Sequence, residues 1–228
     1  MISQIREPLS KIVQPLIIFF AKLGIHPTIF TIIGVILSAA AGYFIAVNNF
    51  LSAFIILWFA GAMDFIDGGV ARYNKVDSKL GSFIDSIADR VSDLVIFGGV
   101  VIRSYLQDPI DYITAVVGIV MVASALLISY IRAKGESIGI KKMAIGIMER
   151  GERIMLLMIL LFIGVLVPNF GFTTPPDTGL MAAWHISYFS IGYMVLTALS
   201  IITVIQRFIH VSIELNKTEA AKDVQLKE

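Results

Sequence analysis

The stretch TIFTIIGVILSAAAGYFIAV, residues 28–47, runs for twenty residues without a charge. A helix needs about 20 mostly apolar residues to cross the hydrocarbon core of a bilayer, so this stretch alone reads as a membrane span. Working outward, comparable stretches follow at about 50–71, 82–103, 112–133, 153–167 and 184–208, the fifth being short. The full chain of 228 residues is 57% hydrophobic and only 15% charged, with a mean hydropathy of +0.85, which excludes an ordinary soluble globular domain. The expected fold is an all-α integral membrane protein with six transmembrane helices in one domain, residues 24–210. An N-terminal arm, 1–23, and a polar tail, 211–228, flank it.

Residues 1–23 place Ile5, Leu9, Ile12, Val13, Leu16, Phe19, Phe20 and Leu23 at three-and-four spacing with Arg6, Lys11 and Lys22 between them. That pattern predicts an amphipathic helix lying along the membrane surface. Gly24 and Pro27 bracket a turn, and the first span then carries Gly34, Ser38 and Gly42 at intervals of four, a small-residue stripe suited to close helix packing. Threading six spans from the N-terminus puts nearly every Lys and Arg on one side, with Arg103 opposite. The positive-inside rule then predicts that both termini and the connections after the second and fourth spans face the cytoplasm. No cysteine occurs, so disulfides, thiol nucleophiles and cysteine-ligated metals are excluded. His26, His185 and His210 are too scattered to suggest a catalytic triad or a zinc site.

The chemistry concentrates where the second span ends and the third begins. Asp64 and Asp67 are three residues apart, Asp85 and Asp89 four, so each pair shares one helical face. A short connection makes the two helices antiparallel neighbours, bringing four carboxylates to one site at the membrane boundary. Like charges there repel unless cations compensate, and oxygen-only ligands favour hard ions such as Mg²⁺, Mn²⁺ or Ca²⁺. Gly68, Gly69, Ala71 and Gly81 let a ligand approach the backbone, and Arg72 offers a fork for phosphate oxygens. Together these residues describe a site for a diphosphate.

The run Asp64-x2-Asp67-Gly68-x2-Ala71-Arg72-x8-Gly81-x3-Asp85-x3-Asp89 resembles the signature of the CDP-alcohol phosphatidyltransferase family at every position. The resemblance implies an enzyme in which Asp64, Asp67, Asp85 and Asp89 hold two divalent ions, Mg²⁺ or Mn²⁺, against the diphosphate of a CDP-linked lipid donor. It further implies that Asp67, Gly68, Arg72, Gly81 and Asp85 contact the cytidine and phosphate groups, and that Asp89 is the general base. Ala71 belongs to the same lining. Thr31 is placed with the nucleotide pocket, and Thr28 is either there or a helix cap. A homodimer is the expected assembly; membrane lipids are expected partners and nucleic acid is not.

The acceptor must be read from a second, basic cluster. Arg132 and Lys134 close the fourth span, Arg150 and Arg153 precede the fifth, and Arg207 closes the sixth. Their convergence on the acidic mouth suggests a small phosphorylated polyol as acceptor, with Glu149 and Glu152 holding the arginines. The strings Arg132-Ala133-Lys134-Gly135-Glu136 and Glu149-Arg150-Gly151-Glu152-Arg153 resemble the branch of the family that uses inositol 1-phosphate. Glycerol 3-phosphate and serine are the rival acceptors. An ion-coupled transporter is the rival class, and the gathering of acids at one end of two helices, with no mirrored second half, speaks against it. Asp93 either orients Arg90 or another site group, or is a buried polar partner.

Overall fold

The structure, a computed structural model, describes residues 14–74, 78–108, 110–140, 143, 145–167, 170 and 187–225, with backbone only for 218–225. Residues 1–13 of the predicted surface helix, Lys75, Asp77, Lys141, Lys142, His185 and nearly all of the predicted outer loop 168–179 lie outside the described residues. Among the described residues there is no strand. Six long helices follow a short helical segment, 14–22: α1 Pro27–Ala46, α2 Phe50–Asn74, α3 Lys79–Leu106, α4 Tyr112–Ser137, α5 Arg150–Leu166 and α6 Tyr188–Gln225. Four of them, α1, α2, α4 and α6, are long and apolar enough to cross a membrane. The other two predicted spans differ for separate reasons. At 17 residues α5 is short, whereas α3 has 28 residues but spreads Asp85, Asp89, Arg90, Asp93 and Arg103 along its length.

The helix ends follow from local chemistry. Pro27 starts α1 at a position where a missing N–H costs nothing, and His26, not Thr28, supplies the cap: its Nδ1 accepts the Thr28 N–H at 3.3 Å. Asn48 turns the chain between α1 and α2 with a φ of 58°, a left-handed conformation that asparagine tolerates better than most residues. Ser78 caps α3 by accepting the Gly81 N–H at 2.9 Å, and Asp111 caps α4 by accepting the Thr114 N–H at 2.9 Å. The last helix, α6, runs unbroken to Gln225, so the predicted boundary between 210 and 211 falls inside a continuous helix.

The helices close a ring: α1 packs on α2 and α3, α3 on α4, α4 on α6, α6 on α5, and α5 back on α2. Each contributes to one core, which includes Ile45, Leu57, Phe97, Met121, Leu157, Phe189 and Tyr193. In lipid the outer faces are apolar too, so close contact rather than burial from water selects the packing. Gly34, Ser38 and Gly42 are all buried on the predicted stripe. A Cβ on Gly42 would lie 2.3 Å from the Val95 carbonyl oxygen, and one on Gly99 2.3 Å from that of Gly42, so the backbones of α1 and α3 touch. Ser124, Thr197 and Ser200 donate to carbonyls four residues back, which satisfies their hydroxyls inside the apolar interior. Outward, Ile32, Ile36, Trp58, Phe59 and Val116 stay exposed, as residues facing acyl chains do. Four apolar helices with such faces make this an integral membrane protein.

Segment 14–22 packs on α2. Ile17 and Ala21 are buried with Phe30, Ile66 and Val70, and a side chain at Gly69 would collide with Ile17 at 2.4 Å. At the far end of the bundle, Arg103 is fully buried beside the stacked rings of Phe50 and Phe189, 5.8 and 4.6 Å from their centres. It donates through Nε to Asn48 Oδ1 at 2.7 Å and through Nη2 to Ser187 Oγ at 3.5 Å. The single proton of Ser190 goes to Asp111 Oδ2 at 2.6 Å, so Ser187 must donate to Ser190, also at 2.6 Å. The result is a one-way chain from guanidinium through two hydroxyls to a buried carboxylate.

Candidate functional site

Helices α2 and α3 are not the packed neighbours that the short connection predicts, because α1 packs on both; only the end of α2 and the start of α3 approach, where their carboxylates meet. One carboxylate oxygen from each of Asp64, Asp85 and Asp89 lies within 4.8 Å of the other two. At an effective dielectric of about 20, each such pair repels by about 3–4 kcal/mol, so the cluster requires positive charge. Arg150, the first residue of α5, supplies some: its Nη1 is 2.7 Å from Asp89 Oδ1 and 3.2 Å from Asp64 Oδ1, and its Nε is 3.4 Å from Asp93 Oδ1. Burial works against that charge, and Asp89, Asp64 and Asp93 around the guanidinium offset the cost. Among the described residues four carboxylates, Asp64, Asp85, Asp89 and Asp93, face three guanidiniums, Arg150 and Arg153 in ion pairs and Arg90 near Asp85. The surplus of hard oxygen donors suits a hard divalent cation.

Asp67 stands apart from the three clustered carboxylates. It is buried, and its Oδ2 accepts the Thr31 hydroxyl at 2.8 Å, so α1 fixes the side chain that the sequence groups with the metal ligands. Thr31 therefore acts first as the partner of Asp67. A Cβ at Gly68 would lie 3.3 Å from Arg72 Nη1, which shows the arginine folded back over that glycine. Ala71, on the intervening turn, is half-buried. The Gly81 N–H is occupied by the Ser78 cap.

The five predicted acceptor cations do not converge on one point. Arg150 alone reaches the carboxylate cluster. Arg153, buried behind it, donates through Nη2 to Asp93 Oδ2 at 2.8 Å and through Nη1 to the Met148 carbonyl at 3.2 Å. Arg207, also buried, donates to the carbonyls of Ile145 and Ile128 at 2.7 and 2.8 Å and reaches Glu149 at 3.4 Å. It thereby fastens the connection between α4 and α5 onto α6, aided by the Met148 N–H donating to Thr203 Oγ1 at 2.9 Å. Lys134 is exposed at the end of α4, and Arg132 is an exposed partner of Glu136 at 3.0 Å. The carboxylates that hold Arg150 and Arg153 thus come from α2 and α3, and Glu149 serves Arg207 instead.

Asp93 is the residue whose place the sequence leaves open. Arg90 donates within its own helix to the Ser86 carbonyl, while Asp93 takes both α5 arginines. The signal lies in matched spacings: Asp89 and Asp93 share a face of α3, and Arg150 and Arg153 share a face of α5.

The model of the CDP-alcohol phosphatidyltransferase family matches residues 24–192. An archaetidylinositol phosphate synthase of Pyrococcus horikoshii is 35% identical over 156 residues, which is 68% of this chain and 77% of that protein. The crystal structure of a Mycobacterium tuberculosis phosphatidylinositol phosphate synthase with CDP-DAG bound has the same fold, with a TM-score of 0.71 at 24% identity over 88% of this chain and 94% of that one. The same mycobacterial synthase in complex with manganese and citrate gives 0.68 at 24% identity, over 86% and 87%.

Proposed function

The chain belongs to the CDP-alcohol phosphatidyltransferase family, an enzyme family of phospholipid biosynthesis, and from that premise we propose that it transfers a lipid phosphate to inositol 1-phosphate. The donor is CDP-diacylglycerol or CDP-archaeol, and CMP is released. One observation carries the reading: Arg150, a cation suited to phosphate, lies 2.7 Å from Asp89, a carboxylate suited to take a proton. An acceptor whose phosphate meets Arg150 brings a ring hydroxyl to Asp89. The names of the similar synthases, all inositol phosphate enzymes, favour the same acceptor.

In the proposed reaction the acceptor hydroxyl gives its proton to the Asp89 carboxylate as its oxygen bonds to the lipid-linked phosphorus. The bond from that phosphorus to the bridging oxygen breaks, and CMP leaves with the electron pair. Asp64, Asp67, Asp85 and Asp89 would hold two divalent ions, Mg²⁺ or Mn²⁺, whose chemistry is to polarise the diphosphate and offset charge on the leaving group. Thr31, Asp67, Gly68, Ala71, Arg72, Gly81 and Asp85 form the donor side. Arg150 is the direct acceptor contact, with Lys134 and Arg132 at the open rim and Arg153 and Arg207 behind. The catalytic unit is 24–210 with α3 and α5 as its remaining membrane spans, an N-terminal helix on the membrane surface, and the site and both termini in the cytoplasm. The protein works as a homodimer in this reading.

The test is CMP release by purified protein with Mg²⁺ or Mn²⁺ and a CDP-lipid, comparing inositol 1-phosphate, glycerol 3-phosphate, free inositol and serine. Release with inositol 1-phosphate is the expected result. Release with another acceptor alone would retain the phosphotransfer and overturn the acceptor.

A further inference from the structure

Asp93 lies one helical turn past Asp89, outside the run of residues that carries the family signature. It is only 4% exposed. A buried carboxylate persists only when well paired, and Asp93 is paired twice with two different side chains. Its Oδ2 receives Arg153 Nη2 at 2.8 Å and its Oδ1 receives Arg150 Nε at 3.4 Å. The two arginines differ in what they have left to offer. Arg153 is 1% exposed and gives its other terminal nitrogen to the Met148 carbonyl, so it serves as an internal anchor. Arg150 keeps 31% of its side chain exposed and turns its Nη1 toward Asp89 and Asp64.

A guanidinium is planar, so a contact at Nε restricts the direction in which both terminal nitrogens point. We propose that Asp93 is a positioning residue for the acceptor: held by Arg153 from the buried side, it sets the plane of Arg150 at the mouth beside Asp89. The proposal rests on the reading of Arg150 as the contact for a phosphorylated acceptor. Loss of the Asp93 charge frees the Nε of Arg150, whose remaining pull is toward Asp89 and Asp64, away from an incoming phosphate. On the donor side Asp67 is fixed from α1 by the Thr31 hydroxyl, without Asp93.

A double-variant cycle on the full chain, read as KM for each substrate, tests this. Asp93→Asn should raise the acceptor KM about tenfold and move the donor KM by less than about twofold. Arg150→Ala should raise the acceptor KM further, and Asp93→Asn combined with Arg150→Ala should match Arg150→Ala alone, since the first change acts through the second residue. Multiplying effects in the double variant, or equal rises in both KM values, would overturn the proposal. Should Asp93→Asn fail to fold, Asp93→Glu keeps the charge and displaces it by one methylene; a raised acceptor KM is expected and an unchanged one overturns. A wild type that prefers glycerol 3-phosphate overturns the inositol reading while the cycle proceeds with that acceptor, and turnover with serine alone overturns both. If the wild type turns over none of them, titration with inorganic phosphate decides: binding about tenfold weaker in Asp93→Asn supports the role, and equal binding ends it.

Discussion

The two arginine clusters of this bundle, Arg150 at the carboxylate end and Arg103 at the other, sit in opposite settings. Around Arg103 one buried guanidinium stands opposite one buried carboxylate, and only its Nη1 lacks a partner among the described residues. The guanidinium lies against the stacked rings of Phe50 and Phe189, and a chain of hydroxyls leads to a single carboxylate, Asp111. Around Arg150 the carboxylates are in surplus, and Asp64, 49% exposed, opens the cluster to water. A buried, charge-balanced cluster cross-links helices; an open, unbalanced one has capacity left for a ligand. Charged residues in apolar helices mark function only when that second condition holds.

The comparison is broken most directly at Asp89. Asp89→Asn should lower kcat by about a thousandfold while the CDP-lipid still binds, measured by CMP release and equilibrium donor binding. Donor binding lost with turnover would make Asp89 a metal ligand before a base. Arg103→Ala, by contrast, should leave the site chemistry intact and destabilise the fold by about 3–5 kcal/mol, because Asp111 is left buried without its opposing charge. Unfolding in detergent measures it, and a change under about 1 kcal/mol would show that the far cluster is not a structural cross-link. The ends should also respond differently to ions. Mn²⁺ at a hundredfold its Kd should stabilise the wild type by about 2.7 kcal/mol, and Asp85→Asn should remove most of that shift. An equal Mn²⁺ effect in Asp85→Asn would place the ion elsewhere. The smallest change is expected at the rim, where Glu136→Gln breaks an exposed pair with Arg132 and should alter stability by less than about 0.5 kcal/mol.

Much of this was legible in the residues, and the remainder has a common cause. Uncharged stretches and paired asparagines mark helices and turns because those signals are local. The clustering of Asp64, Asp85 and Asp89 is legible because helical spacing fixes which side chains share a face, whereas Asp67, grouped with them by spacing, stands apart. Partners across helices are another matter. Nothing local says that Thr31 answers Asp67, that Arg207 spends its donors on the carbonyls of Ile128 and Ile145, or that Arg103 is buried rather than exposed on the outer side. Each depends on which helices become neighbours in the ring. Thr28 shows the same limit on a smaller scale: it resembles a cap by type, while His26 holds the position.

The unbroken last helix has a mechanical consequence. With 38 residues, α6 is about 57 Å long, nearly twice the hydrocarbon thickness of about 30 Å. Its final turns therefore stand clear of the lipid as a stiff mast on the side where Arg207 grips the loop beside the site. A label at the mast tip would sweep through a larger arc than any atom at the carboxylates, turning a small tilt of α6 into a readable displacement.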